Sequence, residues 1–554
     1  MDTTKYRKND SERTEKSFTI IIWLLFLLGC AAFISLIFNR NLWVDEAFTA
    51  CIIRGDWPEV WQKTAADTLP PFYNLFTKLL TVILGYCAPV MKLSSVLPMI
   101  FTMLLGATLV RKWFGSRSSI LFILFIVVMP HFLYYGVEIR MYSWGIFFLT
   151  AAGIFSYPLF AHSRGMTLSS LQIASLKPYW ILFALSTAFC GYTHHFALVS
   201  AAFLWLFLLI SLSGSIIASN RHDRSPENSE PGIKGILLPY LLSLALFVLL
   251  YFPCLLLTIR QIKHASSYFS MTPLSLRTLL SDFRFPFVTE HTVLSAALLL
   301  MTALTVIHAV FHLLTNRVQK APGKTGGPSV KKSASEETGN SSFSENETVP
   351  NMGDIPDNKL IKDETQIPCL FGLVSMLVLP GTILFGYAVS AVAGSSLFTA
   401  RYLVPSLGLL WLGVSILSGP MLGKKLGTGL FLLWLLLSLP VGIRAYRDQY
   451  SSEYSDGVEK MIAFFDANIK PGDGYIIYEN NYQIELCFRY YYPELQKYDW
   501  ESADEIPGTV WYFYLDGFKK ELDLAPDFGY NAFCVGDMNF DRYAFVLYRM
   551  DKDN

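Results

Sequence analysis

A chain of 554 residues that is 53% hydrophobic and 16% charged, with a mean hydropathy of +0.39, is neither a disordered polymer nor an ordinary water-soluble enzyme. Its 44 basic and 44 acidic residues cancel, and no basic tract suited to nucleic acid interrupts it. Repeated apolar runs of membrane-spanning length identify a polytopic α-helical membrane protein.

Residues 1–17 form the N-terminal segment. Lys5, Arg7, Lys8, Arg13 and Lys16 precede the first apolar run, Phe18 to Phe38, and no small-residue cleavage site follows it. The run is therefore a retained span, and the positive-inside rule holds its basic flank in the cytoplasm. The stretch 39–71 then emerges on the outer face. Further apolar runs fall at 72–87, 93–112, 118–136, 142–160, 178–194, 196–213, 236–257, 293–314, 369–391, 404–422 and 427–443, so that the membrane region covers 18–444.

The basic connectors "ASNRHDRSPEN", "TNRVQK…VKK" and "GKKLG" are expected inside, which puts the chain after Arg444 outside. A chain that starts inside and ends outside crosses an odd number of times, yet about twelve runs are present. The misfit lies between Pro70 and Phe160, where "VRKWFGSR" sits poorly outside. The expectation is about 11 to 13 spans, with 13 preferred.

Residues 316–362 are rich in Gly, Ser, Lys and Glu and nearly free of apolar side chains, as in a disordered cytoplasmic linker. Its "PGKTGG" imitates a phosphate loop, but Val318 stands where the first glycine belongs and no strand leads in. His308 and His312 have the spacing of a zinc helix without its glutamate and sit at the cytoplasmic end. Residues 450–554 read as a small extracytoplasmic α/β domain: "DGVEKMIAFFDANI" is helical, "KPGDG" is a turn, and "YIIYEN", "TVWYFYL" and "YAFVLYRM" are strands. The eight cysteines show no C-x-x-C spacing, which excludes a zinc ribbon. Cys487 and Cys534 share the tail domain, and their spacing leaves pairing open.

The chemistry-bearing stretch is the outer loop, "NLWVDEAFTACIIRGDWPEVWQKTAADTLPPFYNLF". Asp45 and Glu46 stand together at the mouth of a membrane helix, where unpaired charge is expensive. Asp56, Pro58 and Glu59 are a helix-start pattern, and Trp57 and Trp61 share one face, as in a helix lying along the bilayer surface. That helix carries Asp67 back towards Asp45, and Pro70 and Pro71 end the loop. The plain alternative is that the three acids are solvated helix ends.

"LWVDEAFTA…ADTLPPFYNL" resembles the first outer loop of the GT-C membrane glycosyltransferases, in the bacterial branch related to protein O-mannosyltransferases and the aminoarabinose transferase. "YYGVEIRMYSW", "GYTHHFAL" and "FTARYLVPSLGLL" resemble further segments of that branch, in order, so that the likeness covers the chain to about Gly442. It implies a GT-C-like membrane fold and an enzyme that moves a sugar from a polyprenyl-phosphate donor, at the outer face, to a cell-envelope glycan, lipid or protein acceptor, with inversion. Asp45 matches the catalytic carboxylate, Glu46 a supporting acid, and Asp67 a second acid that binds acceptor or a divalent cation such as Mg or Mn; no cofactor is certain. The family motif Asp-x-His-Pro-Pro is here "DTLPP", with Leu69 in place of the histidine, which weakens the case for a metal at Asp67.

A departing phosphate needs cations near it. Arg401, with Tyr402 in the late family segment, is the preferred phosphate ligand. Arg260 and Lys263, in an outer loop unusually basic for that side together with Arg277 and Arg284, are further candidates, against ordinary interfacial placement. Glu138, Arg140 and Tyr142 either bind substrate or pair structurally. His194 and His195 either contact acceptor or metal or close a polar turn. The competing function is a transporter or flippase of lipid-linked sugars, which would place charge within the spans and show internal repeats. Sparse disulfide potential and the lack of eukaryotic targeting signals point to a bacterial plasma membrane.

Overall fold

The computed structural model describes residues 3–222, 233–268, 275–287, 292–318, 357–394, 397–451, 455–515, 530–540 and 543–552. Most of the expected linker, 319–356, lies outside these residues.

The first helix, α1 (Thr3–Ser35), leads through a short turn into the outer loop, which folds as α2 (Val44–Arg54) and α3 (Trp57–Ala66). Then come α4 (Phe72–Leu84), α5 (Ala88–Leu105), α6 (Arg111–Val128), α7 (Pro130–Tyr135), α8 (Tyr142–Ser163), α9 (Lys177–Thr193), α10 (His195–His222) and α11 (Ile233–Tyr268). The second half of the membrane region is α12 (Leu276–Arg284), α13 (Thr292–Val318), α14 (Asp357–Ala393), α15 (Leu407–Ser418) and α16 (Lys425–Tyr450). Among the described residues, eight stretches are long and apolar enough to cross a membrane, and the protein is a multi-pass membrane protein.

The stretch Ala88–Val128 is 41 residues long, twice what one crossing needs. It folds back on itself at Gly115, whose φ of 85° only glycine adopts freely. Ser119 Oγ donates to Gly106 O at 2.8 Å across the resulting hairpin. The turn lies beside the N-terminal part of α1, where Ser116 Oγ meets Glu15 Oε2 at 3.0 Å. "VRKWFGSR" therefore shares the face of the N-terminus, away from Asp45.

The expected span at 72–87 is corrected. Helix α4 has 13 residues, about 20 Å of helix, too short for a hydrocarbon core of about 30 Å. Both its ends meet the outer-loop assembly: Asn74 Nδ2 donates to Thr64 Oγ1 at 2.9 Å, and beyond its C-terminus Tyr86 OH donates to Ala50 O at 2.8 Å. Pro71 starts a helix that lines the mouth without passing through. Tyr179 at the start of α9 packs on Trp113 near the Gly115 turn, and Ala309 O late in α13 accepts from Cys369 near the start of α14. With α4 set aside, the membrane region among the described residues is carried by the eight apolar stretches, of which Ala88–Val128 folds back as two helices.

The tail carries α17 (Ser455–Asn468), β1 (Gly474–Ile477), α18 (Tyr482–Tyr491), β2 (Gln496–Lys497), β3 (Val510–Leu515), β4 (Tyr530–Phe540) and β5 (Tyr543–Lys552). They build a five-stranded sheet in the order β2-β1-β3-β5-β4. Strands β1, β2 and β3 run parallel, while β5 is antiparallel to both β3 and β4. Cys487 is buried and Cys534 exposed, and both are free thiols.

The tail is joined to the outer loop by packing. Ala47 of α2 is buried in the tail's apolar core, with Val44, Phe48 and Cys51 packed against it. Arg54 Nη2 donates to Tyr490 O at 2.7 Å, Tyr491 OH to Arg40 O at 2.8 Å, and Cys487 Sγ to Leu42 O at 3.8 Å. One face of α2 thus belongs to the tail, which leaves the face bearing Asp45 and Thr49, one turn apart, to the membrane region.

Candidate active site

Helix α2 begins at the mouth of the bundle with two acids in its first turn, where the positive end of the helix dipole favours them. The two point to different tasks. Glu46, 5% exposed, accepts from Trp43 N at 3.2 Å through Oε2 and from Ile139 N at 2.9 Å through Oε1. The first bond caps the helix and the second fastens it to the 136–141 turn. Both carboxylate oxygens of Glu46 are thus engaged by backbone.

Asp45 is engaged by cations. Its Oδ2 lies 3.0 Å from Arg401 Nη1 and 3.8 Å from Arg140 Nη2. Arg140 also donates to Asp45 O at 3.5 Å and to Thr49 Oγ1 at 3.3 Å, which fixes its guanidinium against α2. Three segments more than 90 residues apart in sequence, the outer loop, the 136–141 turn and the start of the α15 segment, meet at this carboxylate. The Asp45 side chain is 26% exposed and that of Arg401 36%, so the pair is partly open.

Aromatic rings wall the cluster. Tyr142 packs edge-on to Tyr135 at 5.0 Å and lies 5.7 Å from the His194 ring, which meets Tyr402 at 5.3 Å. His194 Nδ1 accepts from Phe196 N at 3.1 Å, so His194 caps the start of α10 while its ring lines the wall. Glu138 is buried close by, with Oε1 unpartnered. Burial pushes its carboxyl up to about 8, the negative charge of Glu46 adds to the shift, and Arg140 opposes it. Glu138 therefore holds its proton at neutral pH.

Asp67 ends α3 at the far side of the loop. Its N–H closes the helix on Lys63 O at 3.1 Å, and its Oδ2 is buried without a hydrogen bond. Burial raises the Asp67 carboxyl above the usual carboxylate range, partly offset by hydrogen bonding at Thr68 and by Arg140. His195 reaches the same turn, with Nε2 3.1 Å from Thr68 O. No group of three His, Cys, Asp or Glu side chains able to hold a metal occurs among the described residues.

Arg260 is exposed on α11, and no contact joins it to the cluster among the described residues. Lys263 lies one turn on, and its side chain is outside the described structure. Sequence reasoning missed Thr49, Tyr135 and Gln261. Thr49 had a legible signal, one helical turn after Asp45. Tyr135 lies inside the quoted "YYGVEIRMYSW" without a signal of its own, and Gln261 between Arg260 and Lys263 reads as one more polar residue at the end of a helix.

Similarity to known folds follows the same arrangement. Crystalline ArnT from Cupriavidus metallidurans in the apo state matches with a TM-score of 0.52 and 11% identity, covering 95% of this chain and 97% of that one. Its complex with undecaprenyl phosphate matches at 0.51, with 10% identity and the same coverage. The chain shares the fold of that structure. A looser likeness, at 0.44 and 11% identity, reaches the Archaeoglobus fulgidus oligosaccharyltransferase over 86% of this chain and 64% of that one. No family model and no curated protein matches the sequence. Near full-length coverage takes in the tail domain as well as the membrane bundle.

Proposed function

We propose that the chain is a membrane glycosyltransferase that moves a sugar from a polyprenyl-phosphate donor to a hydroxyl-bearing acceptor at the outer membrane face. The observation that carries this reading is the Asp45–Arg401 pair, 3.0 Å apart at the bundle mouth with Arg140 behind it. The ArnT structure of the same fold holds undecaprenyl phosphate, which supports a lipid phosphate as ligand here.

The chemistry asks for a cation where the leaving phosphate gathers charge and a carboxylate where the acceptor loses its proton. Arg401 offers a planar fork suited to two phosphate oxygens. As the donor's phosphate takes the Arg401 fork, Asp45 loses one of its two cationic partners and turns to the acceptor hydroxyl. The acceptor oxygen attacks the anomeric carbon as the bond from that carbon to the phosphate oxygen breaks. The bonding pair leaves with polyprenyl phosphate, the acceptor proton passes to Asp45, and a single displacement inverts the anomeric centre. Arg140 stays with Asp45, bound to its backbone and to Thr49, and sets the carboxylate's direction. Glu46 keeps α2 in place, and Tyr142, His194 and Tyr402 form a wall for the sugar ring.

Sugar transfer from radiolabelled polyprenyl-phosphate sugars to cell-envelope extract, by purified wild-type and Asp45→Asn protein, tests the reading. Transfer by the wild type alone is expected. Equal transfer by both removes Asp45 from the chemistry. Binding without transfer by either protein turns the assignment to a flippase of lipid-linked sugars.

A further inference from the structure

On the face that carries the N-terminus, away from the Asp45–Arg401 pair, the turn between α15 and α16 brings positive charge to the rim of an apolar cleft. Helix α15 ends at Ser418, and the turn Gly419–Gly423 leads into α16 at Lys425. The turn rests on α6 just past the Gly115 reversal, with Gly419 against Ser118 and Gly423 against the Arg117 guanidinium. Arg117, Lys424 and Lys425 therefore share one short stretch, and all three are exposed. None of them pairs with an acidic side chain among the described residues. Helix α16 has no acidic residue in its first turn and no side-chain cap. Its two lysines thus stand at the positive end of the helix dipole, which disfavours cations there.

The cleft opens beside these cations. Leu422 and Gly427, which bracket the two lysines in sequence, line its rim, and Trp411 and Trp434 line its inner end. Both tryptophans pack on Phe125, with ring centres 4.5 and 4.6 Å away. From Gly427 to Trp434 is about two turns of α16, or about 10 Å, so the cleft reaches well into the apolar layer. Helix α13 closes the remaining side. The hydroxyls of Thr302 and Thr305 donate to Leu298 O and Met301 O at 2.9 and 3.0 Å, which turns them to their own helix and leaves the wall apolar. A volume of about 70 Å³ holds part of one hydrocarbon chain and not a whole molecule. Leu304 at its edge and Leu426 at the start of α16 are exposed, as on a surface that meets lipid.

We propose that this cleft seats an anionic phospholipid of the leaflet on the N-terminal face. Its phosphate meets Arg117, Lys424 and Lys425, and one acyl chain lies along the cleft towards Trp411 and Trp434. A zwitterionic lipid brings its own cation to the headgroup and gains less from three more. A free phosphate satisfies the cations and leaves the cleft unfilled. An ordinary lysine at a membrane surface extends its stem over whatever is near, whereas here the cations flank a cleft that runs inward from them. The site stands independently of the glycosyl-transfer reading and shares no residue with it.

Native mass spectrometry of the full chain tests the proposal, with phosphatidylglycerol and phosphatidylcholine of identical acyl chains as probes. Wild type is expected to retain phosphatidylglycerol about ten- to thirtyfold more strongly than phosphatidylcholine. Lys424→Gln/Lys425→Gln is expected to bring the two lipids to within about threefold. Lys16→Gln/Lys112→Gln removes the same charge from exposed positions on the same face and is expected to keep the preference. Thr305→Trp fills the cleft and is expected to weaken retention of both lipids. The charge variants change exposed side chains alone, so they decide the headgroup contact even if Thr305→Trp does not fold. Equal retention of the two lipids by wild type overturns the proposal. A loss of preference as complete in Lys16→Gln/Lys112→Gln as in Lys424→Gln/Lys425→Gln overturns it too, because the charge of the whole face would then set the preference. Folded Thr305→Trp protein that retains both lipids as wild type does removes the acyl chain from the cleft and overturns it as well.

Discussion

At the start of the outer loop, Asp45 meets two guanidinium groups and Glu46 meets two backbone amides. At its end, Asp67 keeps a buried carboxylate oxygen without a hydrogen bond, while His195 and Gln261 meet the carbonyls of Thr68 and Leu69. The first end is a set of opposite charges that compensate one another before any substrate arrives. The second is held by hydrogen bonds to the turn's own carbonyls, with one carboxylate oxygen left over. The contrast teaches that the two acids of the loop are not interchangeable, although both sit beside helix termini. Charge handling belongs to Asp45, and Asp67 closes the helix that ends the loop.

The largest effect expected of this division is on turnover. Asp45→Asn keeps the shape and removes the charge, and is expected to lower transfer about a hundredfold to ten-thousandfold, the range for losing a positioned general base. Asp67→Asn keeps a hydrogen-bonding oxygen and is expected to act mainly on KM, by about tenfold or less. Initial rates over a range of both substrates separate the two. A loss of turnover in Asp67→Asn as deep as that in Asp45→Asn would erase the contrast between the two ends. Next in size is Arg401→Lys, which keeps a cation but loses the planar fork. Its expected signature is a rise in donor KM of about tenfold with acceptor KM unchanged. An unchanged donor KM would take the phosphate away from Arg401.

Much of this was legible in the sequence, for physical reasons. Apolar length marks a span, and Pro70 and Pro71 mark a loop end. Asp45 and Arg401 stand out because charge at a membrane mouth is costly enough to need a use. The crossing count was harder. Phe72–Leu84 is as apolar as a span, and only its contacts with Thr64 and Ala50 show that both ends meet the same face. The Gly115 hairpin looked equally like a misplaced outer loop until Ser119 was seen to reach back to Gly106. Gln261 was silent because a single amide at the end of a helix carries no periodicity or spacing. Its meaning comes from the carbonyls that it meets about 190 residues back along the chain. The docking of α2 into the tail was likewise invisible, since Ala47 and Cys51 are small apolar residues that fit a membrane helix as well as a domain core.

A smaller effect concerns pH. The Glu138 carboxyl is pushed up to about 8, mainly by burial, so the folded protein holds a proton that the unfolded chain releases near the ordinary carboxylate range. The native state therefore binds more protons between those two limits, and its stability falls as pH rises through that window. The thermal midpoint of the wild type in detergent is expected to drop between about pH 5 and pH 8. Glu138→Gln, which resembles the protonated form, is expected to match the wild type at the acid end and to show a flatter profile above it. Parallel profiles for the two proteins would place the pH response elsewhere.

The smallest expected effect tests what holds the charged end in position. Tyr491 OH donates to Arg40 O at 2.8 Å, joining the tail's α18 to the segment that leads into α2. Tyr491→Phe removes that one bond and leaves the ring, and because the site is open to water the loss is expected to be about 1 kcal/mol or less. The apolar contacts around Ala47 remain, so α2 should stay docked but be less tightly held. A looser α2 shifts Asp45 relative to Arg401 without altering either side chain. The expected result is therefore a two- to threefold fall in kcat with the KM values for both substrates unchanged. A change in acceptor KM instead would mean that the tail acts on the Asp67 end of the loop, and the division of labour between the two ends would have to be redrawn. Full activity would leave the apolar packing of Ala47, Phe48 and Cys51 as what fixes Asp45, because this hydrogen bond would then carry none of the alignment.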